Sequence, residues 1–279
     1  MKKHCLLLAA ALLTAALSGC APKPAPSPTP ERSPAPGYLS GRWELVDADF
    51  ENAAADAYLY APGGGLAARS REDSPGSSSL VLLDTATGAE SVLLEGADGT
   101  YYYPYGWLDD GALLCQRVNY GGDTPQTEFL VCGLEGAASP AALEGEDPFL
   151  FAQRGRLLAY LPEPQGRTLV LVRIEDGGGV AEVARTELDG YPINGGGISA
   201  DGALVAFPMR GSFEDEARSV YLWNTASGQL AKLVDPTPEV GRSPAAITVR
   251  WTGDFPEVDY NIPDAPDANG HNELWRYCY

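Results

Sequence analysis

Residues 199–207 read SADGALVAF, a polar turn built on Asp201 and Gly202 that opens into a short apolar strand. Asp can bond its own backbone in such a turn, and Gly can take the positive φ that a side chain resists. The same figure recurs as APGGGLAAR (61–69), LDDGALLCQ (108–116) and AQRGRLLAY (152–160). Its glycines, Gly64, Gly111, Gly155 and Gly202, are spaced by 47, 44 and 47 residues. A large residue stands four positions before each, at Tyr60, Trp107, Phe151 and Ile198, and Trp251 continues the series. Self-similarity on this scale is the signature of propellers and other arrays.

Each unit carries a further apolar strand: SLVLLD (79–84), EFLVCG (128–133), TLVLVR (168–173), SVYLWN (219–224) and NELWRY (272–277). After it, DTATG (84–88) and NTASG (224–228) write one hairpin turn twice, Asp or Asn first and Gly last. Each turn enters a final strand, ESVLLE (90–95) or QLAKLV (229–234). Four strands per unit make one propeller blade. The expected fold is therefore all-β, a propeller of about five four-stranded blades. Six blades is the alternative, because residues 235–272 could hold divergent strands. The last unit stops after its third strand, whereas RWELVDAD (42–49) is an orphan ahead of the first, so the N-terminal strand is expected to complete the last blade. Closure of that kind removes exposed sheet edges.

The flanking sequence is organised differently. Lys2 and Lys3 precede an apolar run from Cys5 to Leu17, followed by Leu-Ser-Gly-Cys at 17–20. The run is too short for a bilayer core about 30 Å thick and reads as an export signal. Leu-Ser-Gly-Cys resembles a bacterial lipoprotein signal, which implies cleavage after residue 19 and lipid on the Cys20 thiol. Residues 20–37 then form a Pro-rich tether, roughly 50 Å long if extended at about 3.1 Å per residue. The propeller domain occupies residues 38–279. The expected location is extracytoplasmic, on a bacterial membrane through the Cys20 lipid alone.

The chain holds 38 Asp and Glu against 19 Lys and Arg, a formal net charge of -19. Such a surface repels phosphate backbones, so nucleic acid is not an expected partner. The two histidines, His4 and His271, leave little for nucleophilic triads, and the triple glycines at 63–65, 177–179 and 195–197 lack a P-loop lysine. No catalytic residue and no cofactor is expected. Cys115 and Cys132 fall where other units place buried residues, either as packing thiols or as a cross-strand disulfide that leaves Cys278 unpaired. Asp264, Asp267, Asn269 and Glu273 surround Gly270 with oxygen donors and are weak calcium candidates, but their spacing is not that of an EF-hand.

The repeated turn resembles the WD40-like repeats of TolB-type propellers, in which Ser-Pro-Asp-Gly enters a strand; Ser199-Ala-Asp-Gly202 and Leu108-Asp-Asp-Gly111 approximate it. The resemblance covers about residues 42–279 and implies the architecture. Binding is read instead from the aromatics, because loops between second and third strands and between blades open on one face of a propeller. That face would carry Tyr101, Tyr103, Tyr105, Tyr120, Tyr191, Phe213 and Tyr260, although alternation within YYYPYGW sends some rings inward. Tyrosine combines a flat apolar ring with a hydroxyl at low ordering cost. The expectation is a non-catalytic binding module for an envelope protein, peptide or glycan. The alternatives are a glycan-acting enzyme, which would need two carboxyls about 5–10 Å apart, and a scaffold subunit of an envelope complex.

Overall fold

A computed structural model describes residues 41–48, 50, 58–193, 195–212, 219–233, 245–262 and 271–279. The signal and tether (1–19 and 20–37), Cys20, Phe213, Asp264, Asp267 and Asn269 lie outside the described residues. What is described is a β-propeller of five antiparallel sheets.

Blade 1 is β2 (Leu59–Tyr60), β3 (Leu66–Ser74), β4 (Ser77–Asp84) and β5 (Glu90–Leu94), paired in that order. Blade 2 is β6 (Thr100–Asp109), β7 (Ala112–Asn119), β8 (Gln126–Gly133) and β9 (Ala138–Pro140). Blade 3 is β10 (Phe149–Arg154), β11 (Leu157–Leu161), β12 (Thr168–Ile174) and β13 (Val180–Glu187). In blade 4 the first strand is split into β14 (Tyr191–Pro192) and β15 (Gly197–Ile198), both paired with β16 (Leu204–Arg210), ahead of β17 (Ser219–Asn224) and β18 (Leu230–Lys232). Blade 5 is β19 (Ala245–Trp251), β20 (Pro256–Ile262) and β21 (His271–Cys278), and its fourth strand is β1 (Arg42–Asp47). Arg42 opposes Cys278 and Leu45 opposes Trp275, so the N-terminal strand completes the last blade. Residues 235–272 supply the first two strands of that blade, giving five sheets among the described residues.

The repeated turns form as their residue types dictate. Asp84 Oδ1 accepts from the backbone N–H of Ala86 (3.0 Å) and Thr87 (2.8 Å), and Asn224 Oδ1 accepts from Ala226 (3.1 Å) and Ser227 (3.0 Å). Gly88 and Gly228 close the two turns at φ 72° and 71°. In the SADG turn, Ser199 Oγ donates to Asp201 Oδ1 (2.7 Å) and accepts from Leu204 N–H (2.9 Å), which fixes the entry into β16. Thr85 and Thr225, the second residues of the echoed turns, donate to the carbonyls of Gly64 (2.7 Å) and Gly202 (2.9 Å), tying the two hairpins of a blade together. All these hairpins lie on one face, the turn face; the β7–β8 loop and the links from blade 1 to 2, 2 to 3 and 3 to 4 open on the opposite face, the loop face.

Period-2 alternation gives each blade an apolar face, and from blade 1 to blade 5 successive blades bury apolar faces against each other. Four cores result among the described residues. One joins blades 1 and 2 around Ala68, Leu80, Trp107 and Leu113; the next joins blades 2 and 3 around Leu114, Phe129, Leu158 and Val170. Blades 3 and 4 meet at Phe151, Leu171, Phe207 and Trp223, and blades 4 and 5 at Leu222, Val249, Val258 and Tyr277. The face of blade 5 turned away from blade 4 is charged instead: Arg250, Glu257, Arg276 and Glu44 stand in one cross-strand row of alternating sign over all four strands. Glu257, its side chain 4% exposed, bonds Arg250 (3.1 Å) and Arg276 (2.6 Å).

Candidate functional site

Three of the tyrosines meet on the loop face of blade 2. Within β6, Tyr101 and Tyr103 are two residues apart and stand on one side of the strand; their rings are parallel within 4°, with centroids 6.3 Å apart. Tyr120, from the loop after β7, sets its ring edge against Tyr101 at 5.5 Å. Backbone geometry brings it there. Gly99 adopts φ 76°, its N–H reaches the carbonyl of Gly76 in blade 1 (2.9 Å), and its own carbonyl accepts from Tyr120 N–H (2.7 Å). Asn119 Oδ1 accepts from Gly121 N–H (2.7 Å) and turns the chain back. A Cβ at position 99 would press on the Gly121 backbone at 3.2 Å, so glycine serves both conformation and space there. Tyr103 and Tyr120 remain 40% and 53% exposed. Partial burial, with the neighbouring rings of Tyr120 and Tyr101, raises the Tyr103 hydroxyl pKa, so it stays a neutral donor at physiological pH.

The other candidates go elsewhere. Tyr260 is fully buried and packs its ring near Trp43 (5.5 Å), a core residue of blade 5 and not part of a binding face. Its position two residues inside the end of β20, facing blade 4, accounts for this. Tyr105 packs against Phe129 (6.2 Å) at the blade 2–3 core, and burial pushes its hydroxyl up to about 12. Tyr191 lies beneath the Arg167 guanidinium, 4.6 Å from the ring centroid, and its hydroxyl accepts from Arg167 at 2.9 Å. Tyr102, pointing the other way, docks on blade 1, where its N–H donates to Ser78 Oγ (3.0 Å). Glu273 bonds Trp275 Nε1 (2.7 Å) and His271 Nε2 (3.0 Å).

Beside the tyrosine cluster the loop face is hollowed. A cavity of about 900 Å³ is lined by Asn119, Pro125, the Arg117–Glu128 ion pair, Glu146 and Asp147. Glu146 and Asp147 also border a second cavity of about 660 Å³, with Glu144, Pro162 and Glu163 on its far side. Together they form an acidic trough from blade 2 to blade 3. On the turn face, a cavity of about 430 Å³ opens between the inner strands of blades 1 to 4, with Tyr60, Tyr105, Trp107, Phe151 and Gln153 in its wall. The Gln153 amide donates to the carbonyls of Trp107 (3.2 Å) and Gly155 (3.0 Å). None of the described residues lining this cavity is acidic.

The fold places the chain among known structures, although no family profile and no curated protein sequence matches it. An oligogalacturonate lyase solved in complex with manganese is 13% identical, with a TM-score of 0.50 over 79% of this chain and 76% of the lyase. A prolyl endopeptidase structure is 15% identical, with a TM-score of 0.50 over 73% of this chain and 32% of that one. TolB from Acinetobacter baumannii is also similar, 16% identical with a TM-score of 0.47; the chain spans 80% of itself but 54% of TolB. What is shared at these identities is the propeller.

Proposed function

We propose that this chain is an exported, lipid-anchored propeller that acts as a non-catalytic binding module, holding a peptide, glycan or envelope protein on its loop face through Tyr101, Tyr103 and Tyr120. The observation that carries the reading is the exposure of Tyr103 and Tyr120, beside a half-buried Tyr101, on a scaffold that fixes all three: two parallel rings from one strand, a third at right angles, and a glycine-dependent backbone contact between their loops. Rigid aromatic surface of this kind binds with little loss of side-chain freedom. The trough alongside, with Glu146 and Asp147 at its centre, favours neutral or cationic ligands over anionic ones.

The test is a thermal-shift screen of the purified protein against cell-wall glycans, peptides and envelope extracts, with each hit assayed for turnover. A saturable shift without turnover, abolished in the Tyr101→Ala/Tyr103→Ala/Tyr120→Ala variant, supports the module. Ligand binding that survives the triple substitution sinks the tyrosine site, and turnover sinks the non-catalytic reading. Anchoring is tested separately: mass spectrometry should find diacylglycerol on Cys20, and Cys20→Ser should release the protein from membranes.

A further inference from the structure

We propose that Cys115 and Cys132 form a disulfide that staples β7 to β8 inside the core between blades 1 and 2. Cys115 opposes Leu130 and Cys132 opposes Leu113, so the cysteines are diagonal neighbours on one face of an antiparallel pair whose register runs unbroken from residues 112 to 119. Both are fully buried, and their Sγ atoms are 3.1 Å apart as free thiols. A disulfide needs about 2.05 Å, so closing the bond draws the two sulfurs together by roughly 1 Å.

The surroundings explain why two thiols should meet here. In the corresponding position of blades 1, 3 and 4, four residues past the turn glycine, the chain places Ala68, Ala159 and Ala206, each fully buried. Blade 2 alone puts a thiol at that small site, and the second thiol is the group it touches. The neighbours Leu113, Leu130 and Leu82 are apolar and offer no metal ligand. Cys278 lies at the far end of β21 in blade 5. Both sulfurs are closed off from solvent, and the contact with Cys132 together with burial raises the Cys115 pKa, which disfavours its thiolate in the folded chain. Exchange requires thiolate, and the bond must therefore form before blade 1 packs over the pair.

The chemistry balances with a low-molecular-weight disulfide as oxidant. One cysteine thiolate attacks a sulfur of glutathione disulfide and expels one glutathione thiolate. The other cysteine thiolate then attacks the protein sulfur of the mixed disulfide, forming the Cys115–Cys132 bond and expelling the second glutathione. The protein loses two protons and two electrons, and one glutathione disulfide becomes two thiols. The proposal does not depend on the tyrosine site. Only its occurrence in the cell depends on export to an oxidising compartment, and the following test does not.

The full chain, reduced and denatured, is refolded in a glutathione redox buffer, alkylated with N-ethylmaleimide in denaturant and cut with trypsin. Cleavage after Arg71, Arg117 and Arg154 puts Cys115 and Cys132 in separate peptides, 72–117 and 118–154. The expected product is these two peptides joined, lighter than their sum by two hydrogens, with Cys278 alkylated. The joined pair should persist in Cys278→Ser, and reduction should lower the thermal midpoint of wild type by roughly 5–10 °C but leave Cys115→Ala unmoved. Recovery of folded protein with both peptides separately alkylated overturns the proposal, as does a bridge from either peptide to Cys5, Cys20 or Cys278.

Discussion

Trp107 of blade 2 donates its indole N–H to the backbone carbonyl of Leu59 in blade 1 at 2.8 Å, so a core side chain also latches neighbouring blades. Trp107 is 6% exposed. Trp107→Phe keeps most of the packing and removes this link between the blades. We expect a loss of about 1–2 kcal/mol in urea unfolding; an unchanged midpoint would show that the indole bond contributes nothing to stability.

The closing strand is held by more than its ladder. Trp43 sets its ring edge against Tyr260 (5.5 Å) and Tyr277 (5.0 Å). Trp43→Ala should cost about 2–4 kcal/mol. Hydrogen exchange should rise first at β1 and β21, because their pairing is what the ring anchors. Uniform loss of protection across all blades would contradict this.

The charged row of blade 5 predicts an acid response. Burial alone would raise the Glu257 pKa, but bonds from Arg276 and Thr252 and the charge of Arg250 more than offset it, and the carboxyl sits below its ordinary 4.5. A depressed carboxyl contributes stability that is complete above the unfolded pKa and is lost as pH falls through the lower folded value. Wild-type urea midpoints should therefore fall between about pH 5 and 3. Glu257→Gln should start lower at pH 7, by about 1–3 kcal/mol, and vary less over that range. Parallel profiles would assign the acid response to other carboxyls.

Exposure separates the tyrosines by their roles. Tyr260→Ala removes a fully buried ring and should cost about 3–5 kcal/mol. Tyr103→Ala, at 40% exposure, should cost less than about 1 kcal/mol while affecting ligand binding. Equal destabilisation by both would make the Tyr101–Tyr103–Tyr120 cluster a packing feature.

The contrast also marks what the sequence makes legible. Turn chemistry is local, so spacing and residue type were sufficient to reveal five blades, the echoed Asp84 and Asn224 turns and the closing strand. The site was less legible because strand alternation and register decide where a ring points. Three of the seven aromatic candidates share one cluster, while a bulge between Pro104 and Gly106 and the pairing of Tyr260 with Ala246 turn two others into core. Arg167 covers Tyr191 through a contact 24 residues away, which no local pattern signals. The Thr85 and Thr225 latches were written in the sequence, as the same residue at the same turn position, but their partners belong to another hairpin.

Because Arg42 pairs with Cys278, the first strand of the propeller to leave the ribosome must wait for the last. Blades 1 to 4 draw their strands from continuous stretches and can assemble in order, whereas blade 5 lacks the strand between β1 and β20 until β21 has been made. A chain stalled before β21 would present both β1 and β20 as open edges, each a template for pairing with another molecule. Closure therefore hinges on the eight-residue strand β21, and a chain cut short ahead of it should give aggregates rather than a smaller propeller.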